Sequence, residues 1–381
     1  MKFLVAVNEF KGSLSSYEIG EIILNKINKS IYNHEVTMEI VADGSDGFLG
    51  LFKNFERRQF VTFNAALEEH TVNYLLNNIT KEAVIEVAEV IGLKQLSEDQ
   101  KDPYKTSTVG LGKLISHLLD ENIESFIIGL GGSATNDCGI GMLSELGIKF
   151  TSISGEICSH GISDLSKIEN INLDNKNQKL SKAKFTIISD VNSPLYGKDG
   201  ATYIYSKQKG LKEDEFSIVD TYVENFSEKV SVVVGKDYSS FPGSGAAGGL
   251  GYAFLSFLDS IIQSGSSFMI NYLDLEKIIQ GIDIVITGEG KLDKQSYMGK
   301  APIEIARIAK KSNNKVIFLA GSILDEELRD LSSKDKGLID ASFSIQREFL
   351  SLEKAMKKSV TINNIEQTIE QILTILEFNN G

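Results

Sequence analysis

Apolar residues in this chain fall into short continuous runs separated by glycine-rich polar loops. That rhythm predicts buried parallel strands alternating with helices. Lys2–Val7 is the first such run; Ser15 or Ser16 then caps a helix carrying Ile19, Ile22, Ile23 and Ile27 on one face. Val36–Val41 predicts a second strand and Phe126–Ile128 another. After the latter, Gly129, Gly131 and Gly132 break the run, and Ser133, Thr135, Asn136 and Asp137 offer capping side chains. Ile140, Leu143 and Leu146 then recur at helical spacing until Gly147. Phe185–Ser189, Ile282–Ile286, Lys315–Ala320 and Leu338–Ile345 read as further strands. Ser107–Leu119 reads as a helix, and an amphipathic helix closes the chain from about Ile365 to Leu376. Between Phe60 and Ala88 the period changes. Val72, Tyr74 and Leu76 alternate, as do Ile85 and Val87 beyond the Asn77-Asn78 turn signal, predicting short antiparallel strands of a different domain.

The stretch from Ile127 to Gly147 reads as strand, glycine turn and helix N-terminus. Such a turn gathers unpaired N–H groups and the positive end of a helix dipole where an anion can sit. The plainer reading is a tight turn whose glycines only satisfy geometry. Gly129–Ala134 also fits a dinucleotide fingerprint, but the acidic residue due about 20 positions later has only Glu156 as a loose candidate. Asp137 beside a bound phosphate implies a metal or a transferable proton, so phosphoryl chemistry fits better.

Composition narrows this. With 381 residues the chain can form two domains, and 42% apolar with 24% charged residues is ordinary for a globular protein. A net charge of −13 argues against nucleic acid or an anionic membrane as partner. Anionic ligands therefore require locally basic loops. Cys138 and Cys158 form no disulfide framework and suggest a reducing, cytoplasmic setting, with Cys138 a small buried residue. Four scattered histidines make a zinc site improbable. Phe3–Val7 is too short for a signal segment. Phe241–Leu258, the longest uncharged stretch, carries five glycines and a proline, against a spanning helix.

The strand ends hold the candidate chemistry, because ligands of open α/β sheets collect there. Lys11 lies between an apolar strand and a Gly-Ser turn, which favours an anion contact over a solvated lysine. Asp43 and Asp46 fit turn residues as well as ligands. Asp190, before a proline turn, is either a cap or a catalytic carboxylate. Gln208-Lys209-Gly210 sets another cation beside a glycine. Gly243–Gly248 matches G-x-G-x-x-G without a preceding strand, so a closely packed Gly/Ala helix is the better reading. Thr287–Asp293 places Glu289, Lys291 and Asp293 within five residues, and Lys300 follows. Carboxylates for Mg²⁺, glycine N–H groups for phosphates and lysines to offset charge suit phosphoryl transfer. Neither a Walker A loop nor a protein-kinase H-R-D motif is present.

Taken in order, several blocks resemble the two-domain bacterial glycerate kinase family over essentially the full length. They are Phe10-Lys11-Gly12-Ser13, Ala42-Asp43-Gly44, Gly131–Asp137, Asp190-Val191, Gln208-Lys209-Gly210, Gly245–Leu250, Thr287-Gly288-Glu289-Gly290, Asp293 and Gly299-Lys300-Ala301-Pro302. The resemblance implies an α/β protein of two domains. One is a parallel-sheet Rossmann/flavodoxin-like domain (1–58 with 276–381), and a mixed α/β domain (59–275) is inserted into it. It also implies ATP, Mg²⁺ and glycerate, with 2-phosphoglycerate the usual product and 3-phosphoglycerate the alternative; a homodimer is compatible. Asp190 and Lys11 are then expected to be catalytic, Asp190 as proton acceptor or metal ligand. Ser13, Gly131, Gly132, Ser133, Thr135, Asn136, Lys209, Gly245, Gly288, Lys291 and Lys300 are expected to bind substrate or phosphate. Asp43, Asp137, Glu289 and Asp293 are expected to bind metal. The chain departs from the family at Asn8, where Asp is common, at Cys138, where glycine is usual, and at Ser45-Asp46 in place of Gly-Glu. The antiparallel stretch near 60–80 is also trimmed. Rival functions are an NAD-dependent dehydrogenase and a non-catalytic metabolite-binding protein.

Overall fold

The computed structural model describes residues 1–42, 44, 47–328, 332 and 335–378, without the side chains of Asp325 and Glu327. In chain order its strands begin β1 (Lys2–Val7), β2 (Glu35–Met38), β3 (Glu56–Phe63), β4 (Glu69–Asn77), β5 (Glu82–Glu86), β6 (Ser125–Gly129) and β7 (Lys149–Thr151). They continue β8 (Asn170–Asn172), β9 (Lys184–Ile188), β10 (Ser260–Gln263), β11 (Ile284–Leu292), β12 (Lys315–Ile323) and β13 (Ala341–Ser344). The chain forms two compact units, Met1–Asp43 with Gly265–Gly381, and Gly44–Ser264. These junctions come earlier in the chain than the expected 58/59 and 275/276.

The first unit carries a parallel sheet in the order β13-β12-β11-β1-β2. Numbered within the unit, that order is 2-1-3-4-5, the flavodoxin-like arrangement, whose topological switch falls at β1 and β11. One sheet face buries Phe3, Val5, Val7, Ile284, Ile286 and Leu319 under two helices, Ser16–Asn28 and Lys358–Glu377. Ser15 caps the first of these in a reciprocal capping box with Glu18. The apolar stripe Ile19, Ile23 and Ile27 is completely buried, as its spacing predicts.

Two expectations change here. The second strand stops at Met38 rather than Val41. The strand expected at Ile282–Ile286 instead runs on to Leu292, absorbing most of what reads as a polar loop. Glycine explains the extension: a Cβ on Gly288 would stand 2.0 Å from the carbonyl oxygen of Leu319 on β12. The bare backbone lets the two strands stay paired through Leu292↔Ile323.

The second unit holds a six-stranded sheet, β10-β9-β6-β5-β4-β3. β3, β4 and β5 pair antiparallel, as the alternation at 60–88 predicts, while β5, β6, β9 and β10 pair parallel. Val87 already belongs to a short helix, Val87–Ile91, rather than to the strand. β7 and β8 form a small antiparallel pair. Among the described residues no helix is long and apolar enough to cross a membrane.

Candidate active site

Each unit places a polar cluster at the carboxyl ends of its parallel strands, and the two clusters are built differently.

In the first unit, β1 hands the chain to a tight turn. The Asn8 N–H donates to Gly288 O (2.8 Å), the Phe10 N–H to Leu14 O (2.9 Å) and the Ser13 N–H to Phe10 O (2.8 Å). Gly12 sits at φ +78°, where a glycine is needed, and Lys11 is exposed at the tip. A Cβ on Gly290 would lie 3.7 Å from the Lys11 backbone N, so the turn after β1 rests beside β11. The Ser13 Oγ shares a 2.6 Å hydrogen bond with Thr361 Oγ1, tying the turn to the last helix.

Glu289 and Lys291 are two residues apart on β11 and therefore share a face. Lys300 Nζ donates to Glu289 Oε2 at 2.8 Å, while Glu289 Oε1 is buried and has no hydrogen-bond partner. Lys291 Nζ lies 3.0 Å from Asp293 Oδ2. Asp293 also accepts the Ser296 N–H (3.2 Å), capping the turn Lys294–Tyr297. Burial pushes the Asp293 carboxyl up, but the Lys291 ammonium and the Ser296 N–H outweigh it, and its pKa is lowered. Lys300 precedes the helix Ala301–Lys311, whose Pro302 suits a first turn. Thus Lys11, Gly288, Glu289, Lys291, Asp293 and Lys300 gather at one end of one sheet, at its topological switch. Asp43 and Asp46 lie outside the described residues.

In the second unit the loop expected to seat an anion is built differently. No helix begins at Gly131–Asp137; the chain runs irregularly to Gly139, and the helix Ile140–Glu145 starts only there. Two of the N–H groups expected to face an anion are already used, Gly131 on Gly44 O (3.1 Å) and Ala134 on Ile91 O (2.9 Å). Asp137 is not the first residue before its own helix, where Gly139 stands, and its carboxylate joins two helix starts. Its Oδ2 accepts the Thr108 N–H (2.9 Å) and Oγ1–H (2.8 Å), and Oδ1 accepts the Gly139 N–H (3.0 Å). It therefore pins the start of the helix Val109–Asp120. Burial raises its pKa, against the pull of those donors.

Lys209 is equally enclosed. Its Nζ donates to Thr135 O (2.7 Å) and Ser133 Oγ (3.2 Å), and burial lowers its pKa to about 8 despite the opposing charge of Asp137. The Asn136 amide reaches Thr202 Oγ1 at 3.4 Å. Ser133, Thr135, Asn136 and Lys209 thus bond to one another or to the scaffold, although Thr135 Oγ1 is left without a partner.

Gly243–Gly248 is no dinucleotide loop. Ala247, Gly248 and Gly249 are left-handed and break the helix Ala246–Phe257, and a Cβ on Gly248 would lie 2.0 Å from Thr135 O. Gly245 packs equally closely on Pro194 O (2.3 Å) beside Ser193 Oγ, a buried hydroxyl with no partner. Asp190 is exposed at the end of β9. Cys138 is buried beneath this segment at φ +49°, and burial raises its thiol pKa well above the ordinary range.

Sequence reasoning missed Glu86. At the end of β5 it accepts the Gly47 and Leu49 N–H groups (3.3 and 3.4 Å), and burial pushes its pKa up to about 7. Only the shared carboxyl-end position of β5 and β6 could have flagged it. Among the described residues no group of three or more His, Cys, Asp or Glu is close enough to hold a metal ion.

Comparison with known proteins places the chain. Residues 3–377 match the model of the glycerate kinase family. The chain is 33% identical over 378 residues to a glycerate kinase of Bacillus cereus, covering 98% of each. It is also 33% identical over 361 residues to the glycerate 2-kinase of Escherichia coli K12, covering 94% of this chain and 93% of that one. A crystal structure from Salmonella typhimurium LT2, assigned to glycerate kinase 2, superposes with a TM-score of 0.83 at 30% identity and covers 100% of this chain and 99% of that one. The chain therefore belongs to the glycerate kinase family.

Proposed function

We propose that this kinase transfers the γ-phosphoryl group of ATP to the 2-hydroxyl of D-glycerate, releasing ADP and 2-phosphoglycerate. The observation that carries the reading is Glu289, a buried carboxylate with one oxygen held by Lys300 and the other unpartnered, at the sheet's topological switch. An unpartnered buried carboxylate oxygen is costly unless a ligand completes it. A Mg²⁺–phosphate group suits that oxygen, since Mg²⁺ commonly takes one or two protein carboxylates and keeps the rest of its shell for phosphate and water. Asp293 is the second carboxylate of the same cluster. Asp137 does not fit, because its oxygens are filled by protein donors. When bound, Mg²⁺ would offset charge on the phosphates.

In this reading Lys11, Lys291 and Lys300 hold the polyphosphate, and Gly290 keeps the strand end beside Lys11 bare enough for it to approach. Asp190 takes the proton from the attacking hydroxyl. Lys209, Ser133, Thr135 and Asn136 act one step back, fixing the loop after β6. The free, buried cysteines suit a cytoplasmic setting.

The test is incubation with ATP, Mg²⁺ and each glycerate enantiomer, followed by phosphorus NMR of the product. A 2-phosphate ester formed from the D enantiomer, abolished by EDTA, is expected. A 3-phosphate ester would overturn the regiochemistry. ADP release independent of glycerate would overturn the reaction itself.

A further inference from the structure

Beyond β13 the chain bridges the carboxyl end of the first unit's sheet. The Ile345 N–H donates to Ala320 O on β12 (2.8 Å), and the Ile345 side chain is buried. Residues 346–351 then run exposed, without regular structure, to a short turn, Leu352–Ala355. Met356 arrives over the turn that follows β1: a Cβ on Gly12 would lie 2.5 Å from Met356 Cε. Five residues later, Thr361 bonds Ser13. The strap is thus tied to β12 at one end and to the β1 turn at the other, with β11 lying between those strands in the sheet.

Three large apolar side chains of this strap stay out of the core. Phe349 is fully exposed, Leu352 is 76% exposed and Leu350 is 36% exposed. Single exposed apolar residues need no explanation, but three within four positions, held over the ligand-binding end of a parallel sheet, point to an occupant. The same end carries Lys11, Lys291 and Lys300. Cations for a phosphate tail and an exposed aromatic on a strap anchored at the same end of the sheet suit the two halves of a single nucleotide. Glycerate, small and polar throughout, offers no flat apolar face.

We infer that Phe349 is the stacking platform for the nucleobase of ATP and ADP, with Leu350 and Leu352 lining its edge. The inference rests on the kinase reading above. It adds the place where the base binds.

The chain contains no tryptophan, so Phe349→Trp creates a single fluorescent reporter at the platform. Titration with ADP should change its emission saturably, and inorganic pyrophosphate should leave it unchanged. Phe349→Ala should raise the KM for ATP by about 5- to 150-fold, the range of one base–aromatic stack, with kcat and the KM for glycerate near wild type. The platform is refuted if ADP binds Phe349→Ala as tightly as wild type, or if pyrophosphate alone reproduces the emission change. A shift in oligomeric state for Phe349→Ala with an unchanged KM for ATP would give this face to a second copy instead. Should the wild-type protein neither bind ADP in calorimetry nor turn over ATP, the kinase reading itself fails and the platform with it.

Discussion

The loop after β6 and the end of β11 draw on one vocabulary of glycine, lysine, carboxylate and hydroxyl, and use it in opposite ways. After β6 the charged groups are consumed internally. Asp137 is saturated by Thr108 and Gly139, Lys209 by Thr135 and Ser133, and the N–H groups of Gly131 and Ala134 by carbonyls. At β11 the groups are only half spent. Glu289 keeps a free buried oxygen, Lys300 and Lys291 are 41% and 51% exposed along their side chains, and Gly290 leaves room beside Lys11. A loop whose charged groups are held by protein partners is a scaffold, even with the Thr135 hydroxyl left over, whereas an unmatched carboxylate oxygen at a strand end waits for a ligand. The residue types alone do not separate the two.

The largest effect expected from this contrast is on stability. Asp137→Ala would leave the Thr108 and Gly139 donors buried without an acceptor, costing about 3–5 kcal/mol in urea unfolding. A loss below about 1 kcal/mol, combined with a raised Mg²⁺ requirement, would return Asp137 to the role of ligand and erase the distinction. Lys209 gives a second measure of the same enclosure. Its pKa falls from 10.5 to about 8 on folding, so the folded state binds fewer protons than the unfolded chain between those values. Stability should therefore rise with pH through that window, by at most about 3 kcal/mol. In Lys209→Met the rise should be smaller by that amount. Identical pH profiles for variant and wild type would mean that water reaches the ammonium.

These two residues also show what the sequence could and could not reveal. Lys2–Val7, the Ser15-capped helix and the alternation at 60–88 were legible because each is a local period or cap, fixed by neighbours a few residues away. The role of Asp137 was not, since its partner Thr108 is 29 positions distant and belongs to another helix. Capping residues in a row suggest a helix start, but not whose. The same blindness shortened β11 in the sequence reading. Polar residues at 287–291 look like a loop until pairing with β12 carries them on as strand. Glu86 gave no local signal at all.

On the half-spent side, Glu289→Gln keeps the shape and removes the charge. The free oxygen has no donor to lose, and Lys300 can turn toward water, so stability should stay within about 1 kcal/mol of wild type. Activity should not be spared. We expect kcat/KM for ATP to fall about 100-fold, near 2.7 kcal/mol of transition-state stabilisation. A variant with full activity but a lower unfolding midpoint would make Glu289 another scaffold residue, and the two strand ends would then be alike.

The smallest effect expected is at Lys11, where the contrast is sharpest. It is exposed at the tip of a turn held by the backbone bonds of Phe10, Ser13 and Leu14, so the fold does not depend on its side chain. Lys11→Ala should leave the unfolding midpoint unchanged. If the ammonium meets a phosphate or carboxylate of the substrates, kcat/KM should fall by a factor of about 10 or more, at the low end of a charge-assisted hydrogen bond. An exposed charge contact is screened by salt, so the gap between variant and wild type should narrow as ionic strength rises past about 0.15 M. Lys11→Arg, which keeps the charge but changes the geometry, should recover part of the loss. An unchanged kcat/KM at low salt would make Lys11 an ordinary solvated lysine. The cationic half of the β11 site would then rest on Lys291 and Lys300, each of which already holds a carboxylate.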